Sequence, residues 1–159
     1  REISYRLYDN DVRLKIAQCM LLGIGGAKIV EALKFNPDVY HFNEAHAVSG
    51  AFYVYKKLGS VEKLRQKLVF TTHTPEEAGN EKHDIGVLND MGFFGDIPLA
   101  EVRKITGTND HVFNHSLAAL RLSRQANAVS KLHGDVSRHM WGHYDGIAPI
   151  THVTNAQNQ

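Results

Sequence analysis

The sequence predicts an α/β fold built on a mostly parallel sheet. Short runs of β-branched and aromatic residues alternate along the chain with segments of helical periodicity. The segments between runs are long enough to be crossovers, which parallel neighbours require and which are normally helical. No internal repeat, linker or low-complexity tract divides the chain.

Val12, Ile16, Cys19 and Met20 recur at helical spacing behind the capping candidates Asn10 and Asp11, which predicts a first helix of about three turns. Gly23, Gly25 and Gly26 are expected to break it, and a second short helix carries Ile29, Val30 and Leu33. Asn36-Pro37-Asp38 forces a turn before a buried strand over Val39–Asn43. Val48, Phe52 and Tyr55 mark one face of a helix that Gly59 stops as a left-handed C′ residue, and Ser60 caps the next. Leu68–Thr72 is the second strand, and Pro75 prevents its simple continuation. Gly79, Gly86, Gly92 and Gly95 interrupt the stretch from Glu76 to Asp96, where loops and one short helix are expected. A helix follows from Pro98 to near Gly107, another contains Leu117, Leu120 and Leu122, and Ala126–Leu132 reads as strand. Gly134–Trp141 reads as helix, with Met140 and Trp141 in the core, and Ile150–Thr154 as the last strand behind Pro149.

Composition narrows the function. Eighteen basic and seventeen acidic residues leave a charge near zero, so no broad field drives binding to nucleic acid or to anionic lipid. No apolar run approaches the roughly 20 residues that span a bilayer, and the first residues lack a signal-peptide pattern, so no membrane partner is expected. The single Cys19 can form no intrachain disulfide, in keeping with a cytoplasmic protein. The charges Glu62, Lys63, Arg65 and Lys67 read as a solvated helix face. The start at Arg1 and the end at Asn155–Gln159 without a closing element read as those of an excised piece.

In an open α/β sheet, ligands bind beyond the carboxyl ends of the strands. There the chain places Asn43-Glu44-Ala45-His46, Thr72-His73-Thr74 and Thr154-Asn155, all neutral or acidic hydrogen-bonding groups. Such groups satisfy polyol hydroxyls, which both donate and accept; without Lys or Arg they make a poor phosphate cradle. Asn, Thr and His at strand ends also cap helices and turns, and the residue types alone leave both readings open. Ten histidines raise the question of a metal, with His139 and His143 one helical turn apart and His133 and His152 nearby in sequence. Without a His-Glu-x-x-His motif or a Cys pair, none is expected. The Gly23–Gly26 segment follows a helix and lacks the Lys-Ser/Thr of a nucleotide loop.

Four segments in register resemble the α-glucan phosphorylases, particularly the shorter bacterial and archaeal kind: Met20–Gly26, His41–Ala47, Val69–Pro75 and Asn127–Trp141. The resemblance covers nearly the whole chain. It implies a two-lobe glycosyltransferase architecture of three-layer, Rossmann-like sheets with helices on both faces. Residues 1–159 would be a fragment of the N-terminal, glucan-side lobe, without the C-terminal cofactor lobe. The implied activity is reversible phosphorolysis of α-1,4-glucan to glucose 1-phosphate, the partners being α-glucan and phosphate. Pyridoxal phosphate would be held by a lysine of the absent lobe and not by this chain, and the chain alone would be inactive and self-associated, a homo-oligomer.

By the same resemblance, His73 is the catalytic-site histidine whose ring bonds the glucose 6-hydroxyl and whose backbone carbonyl faces the anomeric carbon. Asn155 shares that hydroxyl, Glu44 and His46 organise the cleft beside the sugar, Val129 is an apolar contact and Asn127 supports its strand. Two departures from the family pattern are visible. Asn155 is followed by Ala156 and Gln157 where Gly-Val-His or similar is usual, and Ala45 replaces the usual Gly or Thr. Other readings are a nucleotide-sugar glycosyltransferase of the same architecture and a non-catalytic glucan-binding module.

Overall fold

A computed structural model describes residues 2–5 and 11–156. Asn10 and residues 157–159, named above, lie outside them.

Four strands form the parallel sheet: β1 (Tyr40–Asn43), β2 (Leu68–Thr72), β5 (Gln125–Ala128) and β6 (Ile150–His152), side by side in that order. Between β2 and β5 a separate antiparallel pair, β3 (Lys82–Asp84) and β4 (Val112–Asn114), sets His83 opposite Phe113. The helices are α1 (Val12–Met20), α2 (Gly26–Ala32), α3 (Ser49–Leu58), α4 (Val61–Lys67), α5 (Ile85–Asp90), α6 (Leu99–Thr106), α7 (His115–Leu122) and α8 (Lys131–Trp141). The α/β class and the parallel sheet agree with expectation.

Side chains alternate across the sheet, and the two faces differ. Phe42, Leu68, Phe70, Ala126 and Ile150 are buried on one face. Each successive strand adds on the same side of the last, and right-handed crossovers in one direction put all connecting helices on one face. The other face carries His41, Asn43, Val69, Thr71, Gln125, Asn127 and Thr151; His41, Asn43, Gln125 and Thr151 are exposed. A hydrogen-bonded ladder crosses it, His41 Nε2 to Thr71 Oγ1 at 2.7 Å and Thr71 Oγ1 donating to Asn127 Oδ1 at 2.8 Å. The layer of helices expected there is not supplied by the described residues. Asn127 supports its strand, as read.

The core under the helices is aromatic. Phe52, Phe93, Phe94 and Phe113 are fully buried, with Phe52 and Phe94 edge to face at 4.9 Å. Gly59 and Gly107 end α3 and α6 in left-handed conformation, and Ser60 and Ser130 cap α4 and α8 by accepting from Lys63 and His133 N–H. Glu62 and Lys63 are solvated as expected, whereas Arg65 donates to the Arg121 carbonyl and Lys67 to that of Pro37.

Several expectations are corrected. The glycines do not break the first helix: a π-helical turn, Leu21–Gly25, joins α1 to α2. Gly23 packs against α3 so closely that a β-carbon there would lie 2.6 Å from the Ala47 carbonyl and 2.7 Å from Gly50 N. The glycine serves contact between backbones. Strands β3 and β4 were not anticipated, because each has three residues and glycines and loops surround them. β5 stops at Ala128 and α8 starts at Lys131, since Ser130 is an effective cap.

Candidate functional site

Because the four strands are parallel, their carboxyl ends share one edge. Glu44 follows β1, His73 follows β2, Val129 follows β5 and Asn155 lies three residues beyond β6, so four of the five residues singled out by sequence meet at that edge. The structure couples them in two pairs.

The first pair is Glu44 and His73. The ladder between β1 and β2 ends with Glu44 N–H donating to the Thr71 carbonyl at 2.9 Å. Glu44 then adopts φ 62°, ψ 176°, a backbone region that is essentially reserved for glycine. Side chains pay of order 1–3 kcal/mol to occupy it, and such strain clusters at functional sites. Here it turns the carboxylate toward β2, where Oε1 accepts from His73 N–H and, at 3.1 Å, from the Thr74 hydroxyl. Thr74 N–H is taken by Thr72 Oγ1 at 3.3 Å, and Pro75 has no N–H to place. The backbone of the loop after β2 is thus fixed while the His73 side chain stays exposed. Thr74 was named among the strand-end groups in the sequence, but without a role of its own.

The second pair is Val129 and Asn155. Asn155 N–H donates to the Val129 carbonyl at 3.0 Å, extending the β5–β6 ladder past Val153 N–H on Ala128 O at 2.9 Å. Among the described residues only Lys34 and Glu44 combine a positive φ with a side chain, so Ala156 does not adopt the glycine conformation. The Asn155 backbone is anchored despite the Ala156 departure. Val129 N–H in turn donates to His133 Nδ1 at 3.3 Å, which orients the buried His133 ring under the strand end.

His46 is placed apart from these pairs. It belongs to the 3₁₀ turn Ala45–Ala47 and lines a groove of about 580 Å³ with Lys15, Gln18, Cys19, Leu22 and Glu81, among others; Glu44, His73, Val129 and Asn155 do not line it. Burial is the main cause that pushes the Cys19 thiol beside this groove up to about 11, so it stays protonated. Behind the groove runs a chain of titratable groups that sequence reading missed. The Glu81 carboxylate lies 3.5 Å from His83 Nε2, and His83 Nδ1 lies 2.9 Å from His115 Nε2. Burial first, then His83 and His46, push His115 down to about 3, so it is neutral near pH 7. The short strand β3 that presents His83 was hidden among loops, and with it the pairing.

Among the described residues no three His, Cys, Asp or Glu side chains are grouped to hold a metal ion. The strand-end residues Glu44, His46, His73, Val129 and Asn155 include no cationic Lys or Arg, so they do not fit the phosphate of pyridoxal phosphate. Their donors and acceptors suit uncharged hydroxyls. Among the described residues no helix is long and apolar enough to cross a membrane.

No family model matches the chain. It is 40% identical over 159 residues to an uncharacterised protein of Methanocaldococcus jannaschii, covering all of this chain and 30% of that protein. It is 35% identical over 170 residues to the maltodextrin phosphorylase of Thermococcus litoralis, covering 98% of this chain and 20% of the enzyme. It is also 33% identical over 172 residues to the glycogen phosphorylase of Aquifex aeolicus, covering 98% and 25%. The chain therefore spans 20–30% of the length of these relatives. Over nearly its whole length, it is homologous to a segment of the α-glucan phosphorylases.

Proposed function

We propose that this chain forms the glucan-side wall of the cleft of an α-1,4-glucan phosphorylase, which uses phosphate to release the terminal glucose of a glucan as glucose 1-phosphate. The observation that carries the reading is the meeting of Glu44, His73, Val129 and Asn155 at the carboxyl edge of one parallel sheet in a chain homologous to phosphorylases.

The His73 ring, exposed at that edge, bonds the glucose 6-hydroxyl, and Asn155 shares the bond from the end of β6. The His73 carbonyl is directed at the anomeric carbon, where its dipole favours positive charge developing on the sugar ring. Val129 offers an apolar contact, while Glu44 and His46 organise the surroundings from the turn after β1. These groups bind and orient; none of them is required to move a proton. Pyridoxal phosphate would be held by a lysine outside this chain and would supply phosphate acid–base chemistry there. A cytoplasmic setting is part of this reading, in keeping with the free Cys19.

Kinetics of the complete protein test this. His73→Ala is expected to lower kcat/KM for phosphorolysis of maltodextrin by at least the ~0.5–1.5 kcal/mol of one hydrogen bond, and by more if alignment at the anomeric carbon suffers. Asn155→Ala is expected to weaken discrimination between glucose and a 6-deoxy analogue. Unchanged phosphorolysis in the His73 variant would remove that residue from the site.

A further inference from the structure

The Glu44–His73 pairing has two properties that a mere turn residue would lack. The first is cost: at φ 62°, ψ 176° a glycine would be at ease, yet a glutamate is there. The second is commitment. One oxygen of its carboxylate accepts both from the backbone N–H of His73 and from the hydroxyl of Thr74. The two properties are linked by geometry. The chain leaves β1 into the 3₁₀ turn Ala45–Ala47, and the positive φ at Glu44 turns its side chain across to β2, its parallel neighbour.

Holding an N–H fixes the peptide plane on that side of a residue. With His73 N–H on Glu44, Thr74 N–H on Thr72 Oγ1 and φ of Pro75 fixed by its ring, the peptide that carries the His73 carbonyl has both flanks tied. The exposed ring of His73 is thereby presented from a rigid base.

We propose that Glu44 is a positioning residue that acts on the substrate through His73: its carboxylate clamps the loop after β2 and so aims the His73 carbonyl and ring. This rests on the reading of the sheet edge as the glucose site, and it gives the acidic residue of the cleft an acceptor's task, with no proton transfer.

Three variants of the complete protein separate the roles. Glu44→Gln keeps an acceptor oxygen, Glu44→Ala removes it while retaining a β-carbon at positive φ, and Glu44→Gly removes both. Hydrogen–deuterium exchange of the peptide spanning residues 71–76 reads the clamp directly and does not depend on activity. Exchange there is expected to stay near wild type in Glu44→Gln and to quicken about tenfold or more in the Ala and Gly variants. For phosphorolysis, kcat is expected to fall about 10–100-fold in Ala and Gly with KM within about threefold, and to be largely retained in Gln. Glu44→Gly is expected to melt above Glu44→Ala, because only the alanine bears the cost of the positive φ.

The proposal is overturned if exchange at 71–76 is unchanged in Glu44→Ala, or if exchange quickens while kcat does not fall. It is equally overturned if Glu44→Gln loses activity like alanine while that segment stays protected, since the charge would then act directly. A wild-type protein without phosphorolytic activity would instead defeat the functional reading, and the exchange data would still decide whether Glu44 clamps the loop.

Discussion

His115 shows how one residue ties sequence, packing and solution behaviour together. It opens α7, its ring meets Phe93 and Phe113 edge on at 5.2 and 5.0 Å, and its Nε2 lies 2.9 Å from His83 Nδ1. A proton on it would be buried, would face His83 and would lie at a helix N-terminus, all unfavourable. Its folded-state pKa, about 3, lies below the ordinary 6.5, so the unfolded chain binds the proton more readily. The stability this contributes is complete above about 6.5 and is lost as pH falls from there toward 3, by up to ~1.4 kcal/mol per pH unit. His83, also lowered mainly by burial, acts in the same direction. Urea midpoints at pH 7 and pH 5 check this: His115→Phe is expected to reduce the acid-induced drop, and an identical drop in both proteins would refute the assignment. The candidate residues at this scale stood out in the sequence because the carboxyl ends of strands are where ligands bind and Glu44, His73 and Asn155 follow recognisable runs, while the roles proposed for them come from the family resemblance. The link between Glu44 and His73 was not, since it depends on a positive φ that no residue type announces when the residue is not glycine.

Among the elements, the joint between α1 and α2 is the most informative. Glycines within a helical pattern read as a stop, because glycine costs about 1 kcal/mol relative to alanine in a helix interior. The structure uses them to let two backbones touch. A β-carbon at Gly50 would lie 2.7 Å from the Gly23 carbonyl oxygen, the reciprocal of the contact made by Gly23. The Ser49 hydroxyl donates at 3.2 Å to the Cys19 carbonyl, just before the π-helical turn. Gly23→Ala is therefore expected to destabilise the protein by about 1–3 kcal/mol, despite the better helix propensity of alanine, because the atoms it meets include backbone. A urea midpoint at or above wild type would contradict this. By contrast β2, α3 and α6 were read from sequence with near-correct limits, since the apolar pattern is clear in all three and a left-handed glycine closes each of the two helices. β3 and β4 had only three residues each to carry a period, too few to outweigh the glycines around them.

At the scale of the whole molecule, the α/β class was legible from alternation, while the bare polar face was not. It follows from a strand order that runs one way only, and strand order is a property of topology. Large apolar side chains also stand in solvent along the π-helical turn, α2 and just beyond it: Leu21, Leu22, Ile29, Leu33 and Phe35 are each more than half exposed. Such surface tends to be covered by association, so light scattering of the chain alone is expected to give a dimer or larger, and a strict monomer would contradict that. The isolated chain is also expected to give no turnover, because the one cleft wall proposed for it would enclose no reaction by itself. The most direct measurement of the central claim is glucose 1-phosphate formed from maltodextrin and inorganic phosphate by the complete protein, beside its His73→Ala variant. Product from the wild type and a sharp loss in the variant are expected; glucosyl transfer from a nucleotide sugar with no phosphorolysis would contradict the phosphorylase reading.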